Sequence, residues 1–313
     1  MRAVAIIGGA LNPPEGEYLE GVKKGVELGM GLLKEGWSAL EVAQRVAEFM
    51  EDLPVFNCGT GSRLNMKGDI EMDACIMDGK DLRAGAVGCI QKVKNPVAVA
   101  RKVMEETDHI LLVGAGATAF ARAMGFPEYD PSTELRRREW EDLINRLRNE
   151  EPLPERFSSV LNYWQKLKGW IEHDDTVGVL ACDEKGHLAA ATSSGGAPLK
   201  MPGRIGDVPL VGSGIYANEM GAAVLSGNGE AIVKLQGAKT IVDCIAKGSS
   251  PREAAAGFVS LARSRMPGAT ISCLCMDSHG TVGAARNVKT TPFAYLNEQM
   301  EKPATDFAEI VSR

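Results

Sequence analysis

Between positions 173 and 230, hydroxyl, cationic and acidic side chains recur beside glycines. The stretches are His173-Asp174-Asp175-Thr176-Val177-Gly178, then Thr192-Ser193-Ser194-Gly195-Gly196, then Gly203-Arg204-Ile205-Gly206-Asp207 and Ser226-Gly227-Asn228-Gly229-Glu230. Arg204 and Asp207 have the chemistry to take the α-carboxylate and α-ammonium of an amino acid. Backbone amides in the Ser-Gly-Asn-Gly loop are little obstructed and can serve as oxyanion donors. A threonine hydroxyl is a weak nucleophile unless a base adjoins it. Cutting the chain just before Thr176 creates that base, because an α-amine has a pKa of about 7.7–8.0, against about 10.4 for lysine. On spacing alone a plainer reading stays open, in which Thr176 merely starts a strand and Arg204 and Asp207 form a loop ion pair.

These residues need elements to hold them. Ala3–Ile7 reads as a buried strand, and apolar residues from Glu17 to Trp37 recur at helical spacing. Ser38 with Glu41 forms a capping box that opens a second helix to about Glu51. Strands over 70–77 and 82–91 flank an Asp78-Gly79 turn. A helix over 96–106, a strand over 109–113 and a helix over 115–124 follow. Glu134 starts a charged helix, and about 149–175 reads as exposed linker. Hairpin strands return over 176–182 and 187–191, with further strands over 208–211 and 222–225. Helices over 230–246 and 251–263 precede a last hairpin over 269–276 and 281–285. Strands in hairpins mixed with paired helices predict an α+β fold, a four-layer αββα sandwich built from both halves.

The chain has 313 residues and a net charge of −6, which argues against binding nucleic acid or an anionic membrane. No apolar stretch reaches the ~20 residues of a membrane span. The first nine residues lack a secretory cleavage pattern, and no CxxC occurs among the seven cysteines, so a cytoplasmic, reducing setting is expected. Cys273 and Cys275 fall on one face of a strand. Four scattered histidines give no zinc-ligand spacing. Gly114-Ala115-Gly116-Ala117-Thr118-Ala119 matches a dinucleotide fingerprint only weakly, and helix-strand packing explains its glycines more simply. Neither a GxxxxGK[ST] loop nor a GxSxG elbow is present.

Taken together, Thr-Val-Gly at 176–178, Ala-Ala-Ala-Thr-Ser-Ser-Gly-Gly at 189–196, Pro-Gly-Arg-Ile-Gly-Asp at 202–207 and Ser-Gly-Asn-Gly-Glu at 226–230 form a recognisable series. Phe56-Asn57-Cys58-Gly59-Thr60-Gly61, Met72-Asp73-Ala74 and Tyr216-Ala217-Asn218 extend it. The chain resembles the plant-type L-asparaginase / isoaspartyl peptidase family of N-terminal nucleophile hydrolases over nearly its whole length. The resemblance implies cleavage between Asp175 and Thr176 into an α chain (1–175) and a β chain (176–313), which build one domain and assemble as a dimer of αβ units. It implies Thr176 as nucleophile and base and Ser194 as its supporting hydroxyl. Arg204, Asp207, Gly227 and Gly229 would form the aspartyl pocket, and the Ser226 backbone with Asn57 the oxyanion hole. Substrates would be L-asparagine or β-aspartyl dipeptides, with no organic cofactor and a structural sodium in the loop before Asn57. Three family positions differ: Ile7 and Leu11 stand where a histidine and a glycine are usual, and Ser194 stands where a threonine is usual, keeping the hydroxyl but losing the methyl that fixes its rotamer. Asp175 before the nucleophile is also a feature of glycosylasparaginases, which makes cleavage of N-acetylglucosaminyl-asparagine the alternative activity. An uncleaved, non-catalytic homologue is the other alternative.

Overall fold

A computed structural model describes residues 1–149, 151, 176–306 and 308–311. Asp175 and most of the expected linker lie outside the described residues. Twelve described strands form two sheets. The larger has the order β11-β1-β5-β6-β2-β3-β4 and the smaller β12-β10-β9-β8-β7. In the larger sheet β1 is Ala3–Gly8, β2 Met72–Asp78, β3 Ala84–Ile90, β4 Leu111–Val113, β5 Val177–Cys182, β6 Leu188–Ser194 and β11 Phe293–Asn297. In the smaller, β7 is Ile215–Ala217, β8 Gly221–Gly227, β9 Ile271–Asp277, β10 Val282–Arg286 and β12 Glu309–Ile310. The β5–β6 hairpin sits between β1 and β2, so residues from both halves of the sequence share one sheet.

Side-chain alternation sorts the residues into layers. Val177, Val179 and Ala181 of β5 face helices α1 (Gly16–Lys34), α2 (Ala39–Glu51), α3 (Pro96–Glu106) and α4 (Gly114–Ala123). Leu180 and Cys182, on the opposite parity, meet Val224, Leu274 and Met276 of the smaller sheet. The far face of that sheet, including Cys273 and Cys275, packs on α6 (Gly229–Leu235), α7 (Gly237–Ala246) and α8 (Pro251–Arg265). Helix, sheet, sheet and helix therefore stack in the expected αββα order. Helix α5 (Glu134–Arg148) lies outside these layers and buries Leu143, Ile144 and Leu147 against Leu199.

The capping box at Ser38 and Glu41 is present as read from sequence. Three expectations fail locally. Residues 208–211 form no strand, because the Asp207 carbonyl folds the segment back by accepting from Leu210 and Gly214. The helix expected over 230–246 breaks at Gln236, whose φ of 48° ends α6 before α7 begins. Gly114 and Gly116 are not packing glycines, since a Cβ at either would meet nothing within 4 Å.

Candidate active site

Continuing the alternation of β5 by one residue puts the Thr176 side chain on the face between the sheets. The same parity places Ser194 and Asp73 on that face of the larger sheet and Ser226 opposite them on the smaller. Val177 pairs with Ser193, so the next step of the register sets Thr176 across from Ser194, and Ser194 in turn pairs with Asp73. Behind the threonine, Gly178 lets the sheets close up, because a Cβ there would come within 2.7 Å of Val224 and 2.8 Å of Ile7.

Thr176 is fully buried, and its Oγ1 has no hydrogen-bond partner among the described residues. Its main-chain N–H donates to Ser226 Oγ at 3.2 Å, and Ala10 N–H donates to the same oxygen at 2.9 Å. Both acceptor positions of that hydroxyl are thus filled, leaving its proton to offer to a third atom. The result is a buried hydroxyl beside a nitrogen already held by a second hydroxyl.

Ser194 Oγ accepts from Gly196 N–H at 2.9 Å. Asn57 Nδ2 donates to Gly196 O at 2.8 Å, its Oδ1 accepts from Arg63 N–H, and its carbonyl accepts from Gly195 N–H. Asn57 and Ser194 thereby grip one two-glycine turn from opposite sides. A Cβ at Gly195 would fall 2.5 Å from Asn57 Oδ1, which excludes any side chain there. The Asn57 amide thus joins this turn to the segment at Arg63.

Arg204 is held by Glu230 in a two-pronged pair, Nε to Oε1 at 3.0 Å and Nη2 to Oε2 at 3.0 Å. Asp207 is fully buried, and a Cβ at Gly214 would lie 2.6 Å from its Oδ2, so only glycine fits there. Gly227 ends β8 and Gly229 begins α6, whose Asn228 caps it by accepting from Ala231 N–H. Asp73 ties the Arg204–Asp207 loop to the larger sheet, accepting from Gly206 N–H at 3.4 Å and from Cys89 N–H at 2.8 Å. The roles of Asp73 and Glu230 were missed from sequence, although both lie inside motifs that were noted. Their signal is an acidic residue embedded in an otherwise apolar or glycine-rich run.

The loop carrying Asn57 is braced from outside by Arg136 of α5. That side chain is 4% exposed and donates to Gly61 O at 2.9 Å and Val55 O at 3.0 Å. The carbonyls of Asn57 and Gly59 are also engaged, by Gly195 and Ser62 amides. Those of Phe56, Cys58 and Thr60, which alternate with them, accept no hydrogen bond among the described residues.

The family described as Asparaginase matches residues 3–304. A plant-type L-asparaginase of Pyrococcus abyssi is 45% identical over 312 residues, covering 97% of this chain and 99% of the relative. One from Thermococcus kodakarensis is 42% identical over the same length. An isoaspartyl peptidase/L-asparaginase of Homo sapiens is 40% identical over 270 residues, 85% of this chain and 83% of the relative.

Proposed function

We propose, from the premise that this chain belongs to the asparaginase family, that it is an amidohydrolase releasing L-aspartate from L-asparagine and β-aspartyl dipeptides. The observation that carries the reading is the buried, unpartnered Thr176 Oγ1 next to a main-chain nitrogen held by Ser226.

Cleavage of the Asp175–Thr176 bond turns that nitrogen into an α-amine, a base with a pKa near neutrality. Arg204 and Asp207 hold the substrate's α-carboxylate and α-ammonium, with Gly227 and Gly229 as the pocket floor. Thr176 Oγ attacks the side-chain amide carbon while its proton passes to the α-amine. The oxyanion is stabilised by Asn57 and the Ser226 region, with Ser194 supporting the nucleophile. As the C–N bond breaks, the leaving nitrogen takes the proton, giving an aspartyl ester on Thr176. Water then attacks that ester, gives its proton to the amine, and free aspartate departs with Thr176 restored.

Small leaving groups suit this site. Of the four tryptophans, Trp164 and Trp170 lie outside the described residues, while Trp37 sits at the α1–α2 turn and Trp140 packs on Gly68, so neither of these two is placed as a sugar platform. The test compares kcat/KM for L-asparagine, β-aspartyl-leucine and N-acetylglucosaminyl-asparagine on protein whose cleavage is verified by intact mass. Cleaved fragments of 175 and 138 residues and a preference for the first two substrates are expected. Thr176→Ala should remain one chain without activity. A clear preference for the glycosylated substrate would instead make the protein a glycosylasparaginase. A single inert chain would make it a non-catalytic homologue.

Three accompanying features belong to the same reading. The free carbonyls of Phe56, Cys58 and Thr60 suit a hard monovalent cation such as sodium, which would stiffen the Asn57 loop. A thermal midpoint equal in sodium and choline chloride would argue against it. Ile110, Val113 and Met124 are exposed apolar side chains around β4 and α4 and support a dimer of αβ units, which a light-scattering mass would check. All seven cysteines are unbridged and no helix among the described residues is long and apolar enough to cross a membrane, which supports a cytoplasmic setting that fractionation would test.

A further inference from the structure

Lys200 is 1% exposed, yet nothing in the reaction above uses it. Its Nζ donates to Glu71 O at 2.8 Å. An ammonium has three donors, and no other acceptor is described for this one. Among the described residues no carboxylate lies within ion-pair distance of it. Its stem rests on the two-glycine turn, since a Cβ at Gly196 would lie 2.8 Å from both Lys200 Cδ and Nζ. That peptide is the one gripped by Ser194 and Asn57. Farther along, the carboxylate of Glu71 accepts from Gly203 N–H, one residue before Arg204. Lys200 also acts electrostatically on Cys89 in β3, whose thiol lies 3.5 Å from Arg204 O. Burial pushes the Cys89 thiol up to about 12 and Asp73 adds to the rise, while Lys200 opposes it.

A buried charge without a partner costs several kcal/mol, and an apolar side chain of similar volume is often neutral or better for stability. A methionine would fill the same space. The positive charge is therefore a poor device for stability, and it sits against the wall of a site where negative charge develops. We propose that Lys200 is a positioning residue of the amidohydrolase site, whose buried charge sets the Ser194–Gly196–Asn57 wall and biases it toward the forming oxyanion. This rests on the function proposed above.

Two variants separate charge from packing. Lys200→Met keeps volume and loses the charge. Lys200→Gln keeps a donor for Glu71 O and also loses the charge. Ammonia release from L-asparagine is measured on cleaved protein alongside the thermal midpoint, and the self-cleavage rate is followed for any variant that matures slowly. Both variants are expected to lose about 10- to 100-fold in kcat, or in self-cleavage rate, less than the ~10²–10³-fold that follows loss of a direct oxyanion donor because Lys200 acts through the wall. KM should change less than about threefold, as for an interaction felt only in the transition state. The midpoint of Lys200→Met should be unchanged or higher. Wild-type kcat in either variant, or a lowered midpoint with kcat intact, would overturn the assignment. If the wild type itself releases neither ammonia from L-asparagine nor aspartate from a β-aspartyl dipeptide, the functional reading falls and the Lys200 role falls with it.

Discussion

Leu11 holds a φ of 71°, a conformation in which an L side chain crowds the following carbonyl. It is pinned there by its own N–H donating to Thr290 O and by Thr290 Oγ1 donating to Leu11 O. The neighbouring Ala10 amide reaches Ser226 Oγ, so this strained loop helps hold the hydroxyl that meets Thr176. Leu11→Gly should therefore stabilise the protein by about 1 kcal/mol, the usual cost of that conformation for a residue with a Cβ. Urea unfolding would show it, and a lower midpoint would mean that no strain is stored there. Arg204 poses the opposite case, because its planar fork matches the Glu230 carboxylate and lysine cannot copy that geometry. In steady-state assays Arg204→Lys should cost on the order of 2–5 kcal/mol in kcat/KM for L-asparagine, mostly through KM. The placement of Thr176, Ser194 and Ser226 on the face between the sheets is legible from sequence because strand alternation fixes it. The burial of Lys200 is not, since lysine is almost never fully buried and nothing local marks an exception.

At the scale of elements, Glu51 closes α2 and serves two neighbours. Its Oε1 accepts from Val97 N–H at the start of α3, and its carbonyl accepts from Thr60 N–H in the Asn57 loop. Burial pushes its carboxyl up to about 8, with the nearby Ser193 hydroxyl and Val97 amide pulling it back only in part. A carboxyl whose pKa is raised by folding holds a proton in the native state that the unfolded chain releases. Its contribution is complete below pH ~4.5 and is lost as the pH rises to about 8, a span worth a few kcal/mol. Glu51→Gln should flatten that loss, measured as the urea midpoint at pH 5, 7 and 9. An unchanged slope would assign the pH dependence elsewhere. Elements with local punctuation, such as the Ser38–Glu41 box and Pro96 at the head of α3, were readable in advance. The break at Gln236 and the short strand β7 were not. The first needs a left-handed non-glycine residue and the second only its pairing with β8.

For the whole molecule, the layer order was legible because each strand shows one parity to helices and the other to the opposing sheet. The placement of β11 beside β1 was not, since it depends on a pairing across nearly the full chain length. The same sheet would hold the two fragments of the proposed cleavage together. The β5–β6 hairpin pairs with β1 on one side and β2 on the other, and β11 returns to the free side of β1. Once the bond before Thr176 is broken, the two polypeptides remain zipped through the middle of a sheet, and separating them exposes a cavity flanked by unpaired strands. Folding of the uncut chain is a one-molecule event, and for a product cut as proposed it would become a two-molecule one. After dilution from denaturant, recovery of the mature enzyme should rise with protein concentration, whereas Thr176→Ala should refold with a yield set by its own chain alone. Recovery independent of concentration in the nicked form would mean that one fragment keeps enough structure to template the other.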